Sequence, residues 1–218
     1  MRMAPKLENK VALVTGASRG IGRAIAQRLA GAGATGIVTA RSLNAPATSH
    51  RTSTVETLPG TLQETVELIE AAGGKAIAIA ADLGDAQSRQ NLIDKVLAKP
   101  LSVDILVNNA GLTNFAPAES MSLEVFDKTI DHYFRVPFLL AQAFIPGMKK
   151  SGAGWIVNVG SVAGLRPTAH NVVYGDAVYA ACKAALARLT QGMAQELLSS
   201  NIAVNLVAPS TAVRTPGA

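Results

Sequence analysis

The chain has 218 residues, enough for one α/β domain with a substantial buried core. Hydrophobic residues make up 49% of the chain and charged residues 16%, a composition that excludes a disordered protein. The net charge of +5 comes without a long basic run, which argues against a nucleic-acid partner. No apolar run is long enough to cross a membrane. The single cysteine, Cys182, cannot form an internal disulfide and indicates no structural metal site, so we expect a cytoplasmic protein.

A glycine-rich turn follows the first predicted strand. Residues 10–15 form a short apolar run, typical of a strand buried on both faces, and residues 23–32 read as a helix. Glycines between them permit close backbone approach, and the unpaired N–H groups at a helix start attract an anion. The stretch from Gly16 to Gly22 therefore predicts a phosphate cradle for a dinucleotide. The alternative interpretation is an ordinary strand-to-helix turn. The presence of three glycines in this stretch argues against it.

The residues after the second and third predicted strands indicate which dinucleotide binds. An acidic side chain after the second strand accepts the ribose 2′-hydroxyl of NAD(H), whereas an arginine accommodates the 2′-phosphate of NADP(H). Here Arg41 follows strand 36–40, no acid is present, and Arg19 in the glycine turn is a second candidate. NADP(H) is therefore expected in preference to NAD(H), although exposed arginines are also common on protein surfaces. Asp82 and Leu83, after strand 75–81, are placed to touch the adenine.

The remaining elements continue the alternation of strands and helices. We predict a loop over 43–58, helices over 61–74, 85–99, 122–149 and 179–199, and strands over 103–107, 155–159 and 202–207. The long helix 122–149 is interrupted by Pro137. Alternating strands and helices predict an α/β fold with a doubly wound parallel sheet, which binds ligands at the carboxyl ends of its strands. The motif Asn108-Asn109-Ala110-Gly111, Ser161 and Pro209 all follow strands, so they should share that edge.

Tyr179 and Lys183 form the candidate catalytic pair. They lie four residues apart in a run of helix formers, so both side chains should stand on one face. An ammonium beside a phenol favours the phenolate and lowers the tyrosine pKa, which makes a better proton donor and acceptor near neutrality. A chance pair on a solvated helix is the alternative. Tyr174 has no lysine four residues on, and Lys183 would lie about 180° around the helix from it.

Together these motifs resemble the short-chain dehydrogenase/reductase family over nearly the whole chain. The residues that carry the resemblance are Thr15-Gly16-Ala17-Ser18-Arg19-Gly20-Ile21-Gly22, Asp82-Leu83, Asn108-Asn109-Ala110-Gly111, Ser161, Tyr179 with Lys183, and Asn205 to Pro209. The resemblance implies one Rossmann-type domain over residues 1–218 that transfers hydride between a nicotinamide dinucleotide and a carbonyl or alcohol. Tyr179 would exchange the hydroxyl proton, Lys183 would hold the nicotinamide ribose, and Ser161 would bind the substrate oxygen. The resemblance also implies a homodimer or homotetramer.

The implied cofactor-binding residues are Gly16, Ser18, Arg19, Gly20, Ile21, Gly22, Arg41, Asp82, Leu83, Asn108, Ala110, Gly111, Tyr179, Lys183 and Pro209. Of the two tyrosines, Tyr174 stands nearer the family's usual interval after Ser161, and we choose Tyr179 because only it has the lysine.

The chain also departs from the family. Tyr133 occupies the position of an asparagine whose main-chain carbonyl holds a water in the family's proton relay, so we count it with the catalytic residues. Pro137 has no N–H to bond that carbonyl, and our hypothesis is that it preserves the relay by this route; a kink without a catalytic role is the alternative. Ser210 replaces a glycine. Six strands are visible and the family's seventh is not, from which we expect an incomplete carboxyl terminus. A dinucleotide-binding protein without turnover is the second candidate function.

Overall fold

A parallel sheet organises the part of the chain that the structure describes. The structure, a computed structural model, describes residues 7–49, 56–112, 115–165 and 173–210, together with Val213 and Thr215. The strands in these ranges are β1 (Val11–Thr15), β2 (Thr35–Ala40), β3 (Ala47–Ser49), β4 (Glu56–Leu58), β5 (Lys75–Ala80), β6 (Ile105–Asn108), β7 (Gly154–Val159) and β8 (Ile202–Val207). Six of them form one sheet in the order β5-β2-β1-β6-β7-β8, with every neighbouring pair parallel. The predicted doubly wound parallel sheet is confirmed.

Helices cover both faces of this sheet. They are α1 (Gly20–Gly31), α2 (Leu62–Ala71), α3 (Ala86–Leu97), α4 (Leu123–Ile130), α5 (Val136–Ser151) and α6 (Ala177–Leu197). One buried cluster packs the sheet against α1 and α2, through side chains such as Ala26, Leu62 and Ile69. A second cluster packs the other face against α3, α5 and α6, through side chains such as Leu92 and Leu140. No helix in the described ranges is both long and apolar enough to span a membrane.

The order of the strands determines where a ligand can bind. Chain order reverses between β1 and β6, because β1 leads on to β2 and β5 on one side, whereas β6 leads on to β7 and β8 on the other. A crevice opens at the carboxyl ends of the strands at such a point. The glycine turn after β1 and the Asn108–Gly111 stretch at the end of β6 border this crevice.

The predicted loop 43–58 contains more structure than its sequence indicates. β3 and β4 pair antiparallel as a second, two-stranded sheet, with Ala47 opposite Leu58 and Ser49 opposite Glu56. Residues 50–55 of the loop lie outside the described residues. Strands of three residues are too short to show the alternation of apolar and polar side chains by which strands are recognised.

The predicted long helix 122–149 is interrupted one turn earlier than expected. It consists of α4, a π-helical segment at Asp131–Arg135 and α5, and Pro137 lies in the first turn of α5. The N–H of Val136 donates to the carbonyl of Asp131, five residues back, which is the π-helical pattern. The prediction placed the break at the proline because proline lacks an N–H; the helix accommodates it by widening in the turn before.

Candidate active site

The glycine turn lies against the loop that follows β6. Gly16 and Gly20 have φ values of +66° and +57°, which glycine adopts without strain. A β-carbon on Gly16 would come within 2.8 Å of the Ala110 Cα atom, and one on Gly22 would collide with the Gly16 carbonyl. Side chains at these positions would close the cradle, so it has the form that a pyrophosphate at a helix start requires. Ser18, Arg19 and Ile21 belong to the same turn and the first residues of α1.

Thr15 and Asn109 join the ends of β1 and β6. The Asn109 amide Nδ2 donates to the Thr15 carbonyl over 2.9 Å, and the Thr15 hydroxyl accepts from the N–H groups of Asn109 and Ala110, each over 3.0 Å. These bonds position the floor of the crevice. Asn109 is not among the predicted cofactor-binding residues, and its bonds agree with the expectation that side-chain amides directly after a strand tie down the loop backbone.

Asn108 points its side chain into the protein interior. Its Nδ2 donates to Asn158 Oδ1 over 2.8 Å and weakly to the Pro137 carbonyl over 3.4 Å. Asn158 in turn donates to the Thr190 hydroxyl of α6 over 2.9 Å. This buried network ties β6 and β7 to α5 and α6. Any contribution of Asn108 to a cofactor would therefore come from its main chain.

Arg23, which is not among the predicted site residues, joins the glycine turn to α2. Its Nη2 donates to the carbonyls of Ser18 over 2.6 Å and Thr61 over 3.0 Å, and its Nε donates to the Thr65 hydroxyl over 2.9 Å. Its guanidinium also pairs with Glu64 over 3.0 Å. Thr61 and Glu64 form a capping box at the start of α2. An arginine just inside the first helix is too common a feature to have indicated these contacts.

Arg19 and Arg41 bring two positive charges to one end of the crevice. Burial lowers the pKa of Arg19, and the positive charge of Arg41 lowers it further. Arg41 is exposed. Neither arginine forms an ion pair with a carboxylate in the described ranges. Two close like charges attract an anion.

The turn after β5 lies next to this positive end. The Asp82 carboxylate accepts a hydrogen bond from the N–H of Gly84 over 2.9 Å. The guanidinium of Arg89 donates to the carbonyl of buried Leu83 over 2.6 Å. His132 of the π-helical segment packs on this turn, because a β-carbon on Gly84 would lie 2.7 Å from its Cε1 atom. His132 is not among the predicted site residues, since nothing in the sequence relates it to residues some 50 positions earlier.

Burial lowers the pKa of His132, and the nearby Arg41 charge adds to this effect. The carboxylates of Asp82 and Asp131 and the hydrogen bond to the Lys128 carbonyl oppose it. The net effect is a lowered pKa, so the neutral imidazole of His132 is favoured more than that of an exposed histidine.

Tyr179 and Lys183 lie one turn apart on α6, as their spacing predicts. Lys183 is buried, with 7% of the residue exposed to solvent. Its ammonium donates to the Val159 carbonyl over 2.6 Å and lies 5.8 Å from the centre of the Tyr179 ring. Burial lowers the pKa of Lys183 to about 8, and neighbouring Cys182 acts weakly in the other direction. Half-buried Tyr179 packs edge-on against Phe115, with ring centres 5.4 Å apart. The Tyr179 phenol and the buried Lys183 cation thus lie at one site.

Tyr133 lies inside this site. Its ring centre is 4.9 Å from that of Tyr179 and 4.5 Å from the Lys183 ammonium, and its hydroxyl donates to the Leu112 carbonyl. Gly111 makes room for the ring, since a β-carbon there would approach it within 2.6 Å. The relay that we ascribed to its carbonyl stays a prediction. Its side chain makes contacts that the sequence did not indicate.

Ser161 is held beside the same helix. It precedes a short 3-10 turn, Val162–Gly164, and its hydroxyl accepts from the Ala163 N–H over 3.2 Å. Gly164 packs on α6, since a β-carbon there would lie 2.6 Å from the Lys183 carbonyl carbon. Tyr174, by contrast, precedes α6 and is 81% exposed.

The chain beyond β8 returns to the glycine turn. Pro209 follows β8, and a β-carbon on Gly20 would lie 3.3 Å from Thr215. The predicted residues after β1, β2, β5, β6, β7 and β8 therefore all lie at the carboxyl edge of the sheet, where the topology gathers them.

A glycine turn at the switch point of a parallel sheet, with a tyrosine-lysine pair at the same edge, is the arrangement of a dinucleotide-binding fold. The chain matches the family model of short chain dehydrogenases over residues 10–56 and 50–217. It is 37% identical to the 3-oxoacyl-(acyl-carrier-protein) reductase FabG of Escherichia coli K12 over 202 residues, which are 93% of this chain and 73% of that protein.

Among solved structures, a metagenomic short-chain oxidoreductase in complex with NADP superposes with a TM-score of 0.80 at 36% identity, over 94% of this chain and 84% of that one. A 3-oxoacyl-(acyl-carrier-protein) reductase from Agrobacterium tumefaciens C58 with NADP bound superposes with a TM-score of 0.79 at 33% identity, over 96% and 73%. The protein belongs to the short-chain dehydrogenase family. It is an NAD(P)-dependent oxidoreductase.

Proposed function

We propose that the protein reduces a carbonyl compound, or oxidises the corresponding alcohol, with Tyr179 as the acid/base, Lys183 as its electrostatic partner and Ser161 as the donor to the substrate oxygen. The observation that carries this proposal is the buried Lys183 ammonium one turn from Tyr179 on α6. When bound, the nicotinamide supplies or accepts the hydride. Tyr179 donates its hydroxyl proton to the developing alkoxide, and the positive charge of Lys183 stabilises the phenolate that remains.

Ser161 contributes a hydrogen bond that strengthens as negative charge grows on the substrate oxygen. Its hydroxyl already accepts from the Ala163 N–H, so its own proton is available to be directed towards a substrate. Replacing Ser161 with alanine should lower kcat by about 100-fold, while leaving dinucleotide affinity nearly unchanged.

We propose that NADP(H) is preferred over NAD(H). Support comes from the positive charges of Arg19, in the turn after β1, and of Arg41, directly after β2. It also comes from the lack of an acid after β2 and from the two related structures that hold NADP. The glycine turn would hold the pyrophosphate, and Asp82 and Leu83 would border the adenine. Arg41→Glu should reverse the preference, raising the KM for NADPH by at least about tenfold and that for NADH by much less. An unchanged ratio would contradict the assignment of Arg41.

The function is tested by following NADPH oxidation with a panel of aldehydes, ketones and keto-acyl thioesters. The thioesters are included because related proteins are 3-oxoacyl reductases. We expect turnover with at least one class of carbonyl. Tight NADPH binding without turnover across the panel would contradict the proposal and favour a dinucleotide-binding protein without catalysis.

We also propose a homodimer or homotetramer in the cytoplasm. Support for assembly comes from apolar side chains on α4 and α5, where Leu123, Phe126 and Phe138 are 79%, 38% and 41% exposed. Light scattering should give two or four times the chain mass of 22.5 kDa, and a mass of one chain would contradict assembly. The lone cysteine supports a reducing compartment, which cell fractionation would test.

A further inference from the structure

The Lys183 ammonium is buried. In the part of the chain that the structure describes, no carboxylate forms an ion pair with it. Its polar contact is the Val159 carbonyl, 2.6 Å away. One carbonyl satisfies one of the three donors of an ammonium, so burial alone favours the neutral amine. A lysine needed in its charged form requires a further source of stabilisation.

The face of the Tyr133 ring provides a partner for this cation. Its centre lies 4.5 Å from the Lys183 Nζ atom, within the range in which the negative face of an aromatic ring attracts a cation. The residue is 7% exposed, and the attraction is greater in such a desolvated setting than at a surface. The Tyr179 ring centre is farther from the same atom, at 5.8 Å.

The same ring also contacts the proposed acid/base. It meets the Tyr179 ring edge-on, with centres 4.9 Å apart and planes at 82°. Its orientation is fixed at both ends: the main chain belongs to the π-helical segment, and the hydroxyl donates to the Leu112 carbonyl. The absence of a side chain at Gly111 lets the ring occupy this place. One side chain therefore touches both members of the catalytic pair.

We propose that the Tyr133 ring is a positioning residue, which holds the Lys183 ammonium in its charged form and in place beside Tyr179. The inference rests on the proposed function, because it assigns a purpose to the charge of Lys183. It concerns the face of the ring, and no proton is transferred to or from the Tyr133 hydroxyl. Tyr133 faces Lys183 from the π-helical segment, and Tyr179 and Cys182 are the titratable neighbours of Lys183 on α6.

The test measures the titration of Lys183 without relying on turnover. Urea unfolding of the full chain between pH 6.5 and 10 is measured with and without Lys183→Met, in a Cys182→Ala background that removes the thiol titration. The difference between the two curves reports the Lys183 pKa, for which about 8 is expected with Tyr133 intact. Three replacements of Tyr133 are then compared: phenylalanine, pentafluorophenylalanine and leucine.

If the Tyr133 ring stabilises the ammonium, the Lys183 pKa should follow a specific order among these variants. Tyr133→Phe keeps the negative face and should leave the Lys183 pKa within a few tenths of a unit. Pentafluorophenylalanine keeps the shape of phenylalanine but reverses the charge of the face, and should lower the Lys183 pKa by about one unit. Tyr133→Leu should do the same. Because the two aromatic variants have nearly the same shape, they can still be compared with each other if the leucine variant fails to fold.

Equal Lys183 pKa values in the phenylalanine and pentafluorophenylalanine variants would overturn the proposal. If phenylalanine itself lowers the pKa by a full unit, the hydroxyl and not the ring is responsible, and the proposal also fails. A wild-type protein without carbonyl turnover would remove the proposed function, whereas the titration would still decide whether the ring stabilises the ammonium.

Discussion

Replacing Lys183 with methionine should stabilise the fold while abolishing activity. The two side chains have similar length, and methionine carries no charge into the buried site. Burial lowers the pKa of Lys183 from 10.5 to about 8, and at about 1.4 kcal/mol per unit the ammonium costs about 3 kcal/mol of folding free energy below pH 8. Loss of its bond to the Val159 carbonyl and of its contact with the Tyr133 ring offsets about 1 to 2 kcal/mol of that gain. A net increase of about 1 to 2 kcal/mol in the free energy of unfolding at pH 7 should remain.

The pH dependence gives this prediction a second, independent test. The folded wild type releases the Lys183 proton near pH 8, whereas the unfolded chain keeps it to 10.5. Between these values the unfolded state binds more protons, so wild-type stability rises with pH relative to the variant. The advantage of Lys183→Met should therefore shrink from pH 8 to 10.5. Urea unfolding at several pH values measures both effects, with the exposed Lys75→Met as control. A destabilised variant whose difference from wild type does not change with pH would show that the buried ammonium does not destabilise the fold.

Three further predictions concern the surroundings of the site. Arg23→Met removes the donor to the Ser18 and Thr61 carbonyls, so NADPH affinity measured by fluorescence titration should fall about tenfold, while the exposed Arg28→Met should have little effect. The lowered pKa of His132 means that the unfolded chain binds its proton first, so stability should decline as pH falls through about 6.5, and His132→Asn should flatten that slope in urea unfolding. Asp104→Asn should cost about 1 to 3 kcal/mol in thermal or urea unfolding, without changing cofactor affinity, because this 8% exposed carboxylate accepts from Lys10 and the Val11 N–H at the opposite edge of the sheet. An unchanged NADPH affinity in Arg23→Met, an unchanged pH slope in His132→Asn or an unchanged stability of Asp104→Asn would contradict the corresponding prediction.

Most of the sheet could be predicted from the sequence because buried parallel strands leave a strong local signal. Apolar runs bounded by glycine or by helix caps gave all six strands of the large sheet within a residue or two. The capping box at Thr61 and Glu64 is similarly local, since both partners lie within one turn. Doubly wound topology then placed Gly16 and Asn109 at one edge of the sheet.

The contacts inside the site could not be predicted, because they join residues far apart in sequence. The ring of Tyr133 meets Lys183 across 50 positions, and only the packing of the π-helical segment on α6 determines that meeting. The direction of the Asn108 side chain depends on Asn158, a partner on the next strand. Sequence spacing indicated which residues follow strands, whereas it did not indicate which way their side chains turn.

We propose that Tyr179 exchanges the proton during hydride transfer. It is tested most directly by steady-state NADPH oxidation with an active carbonyl, comparing Tyr179→Phe with Tyr174→Phe as the matched control. Tyr174 is 81% exposed and precedes α6, so its variant should keep wild-type turnover. Tyr179→Phe should lose about 100-fold or more in kcat and keep its NADPH affinity within about threefold. Turnover retained in Tyr179→Phe, or lost in Tyr174→Phe instead, would contradict the account.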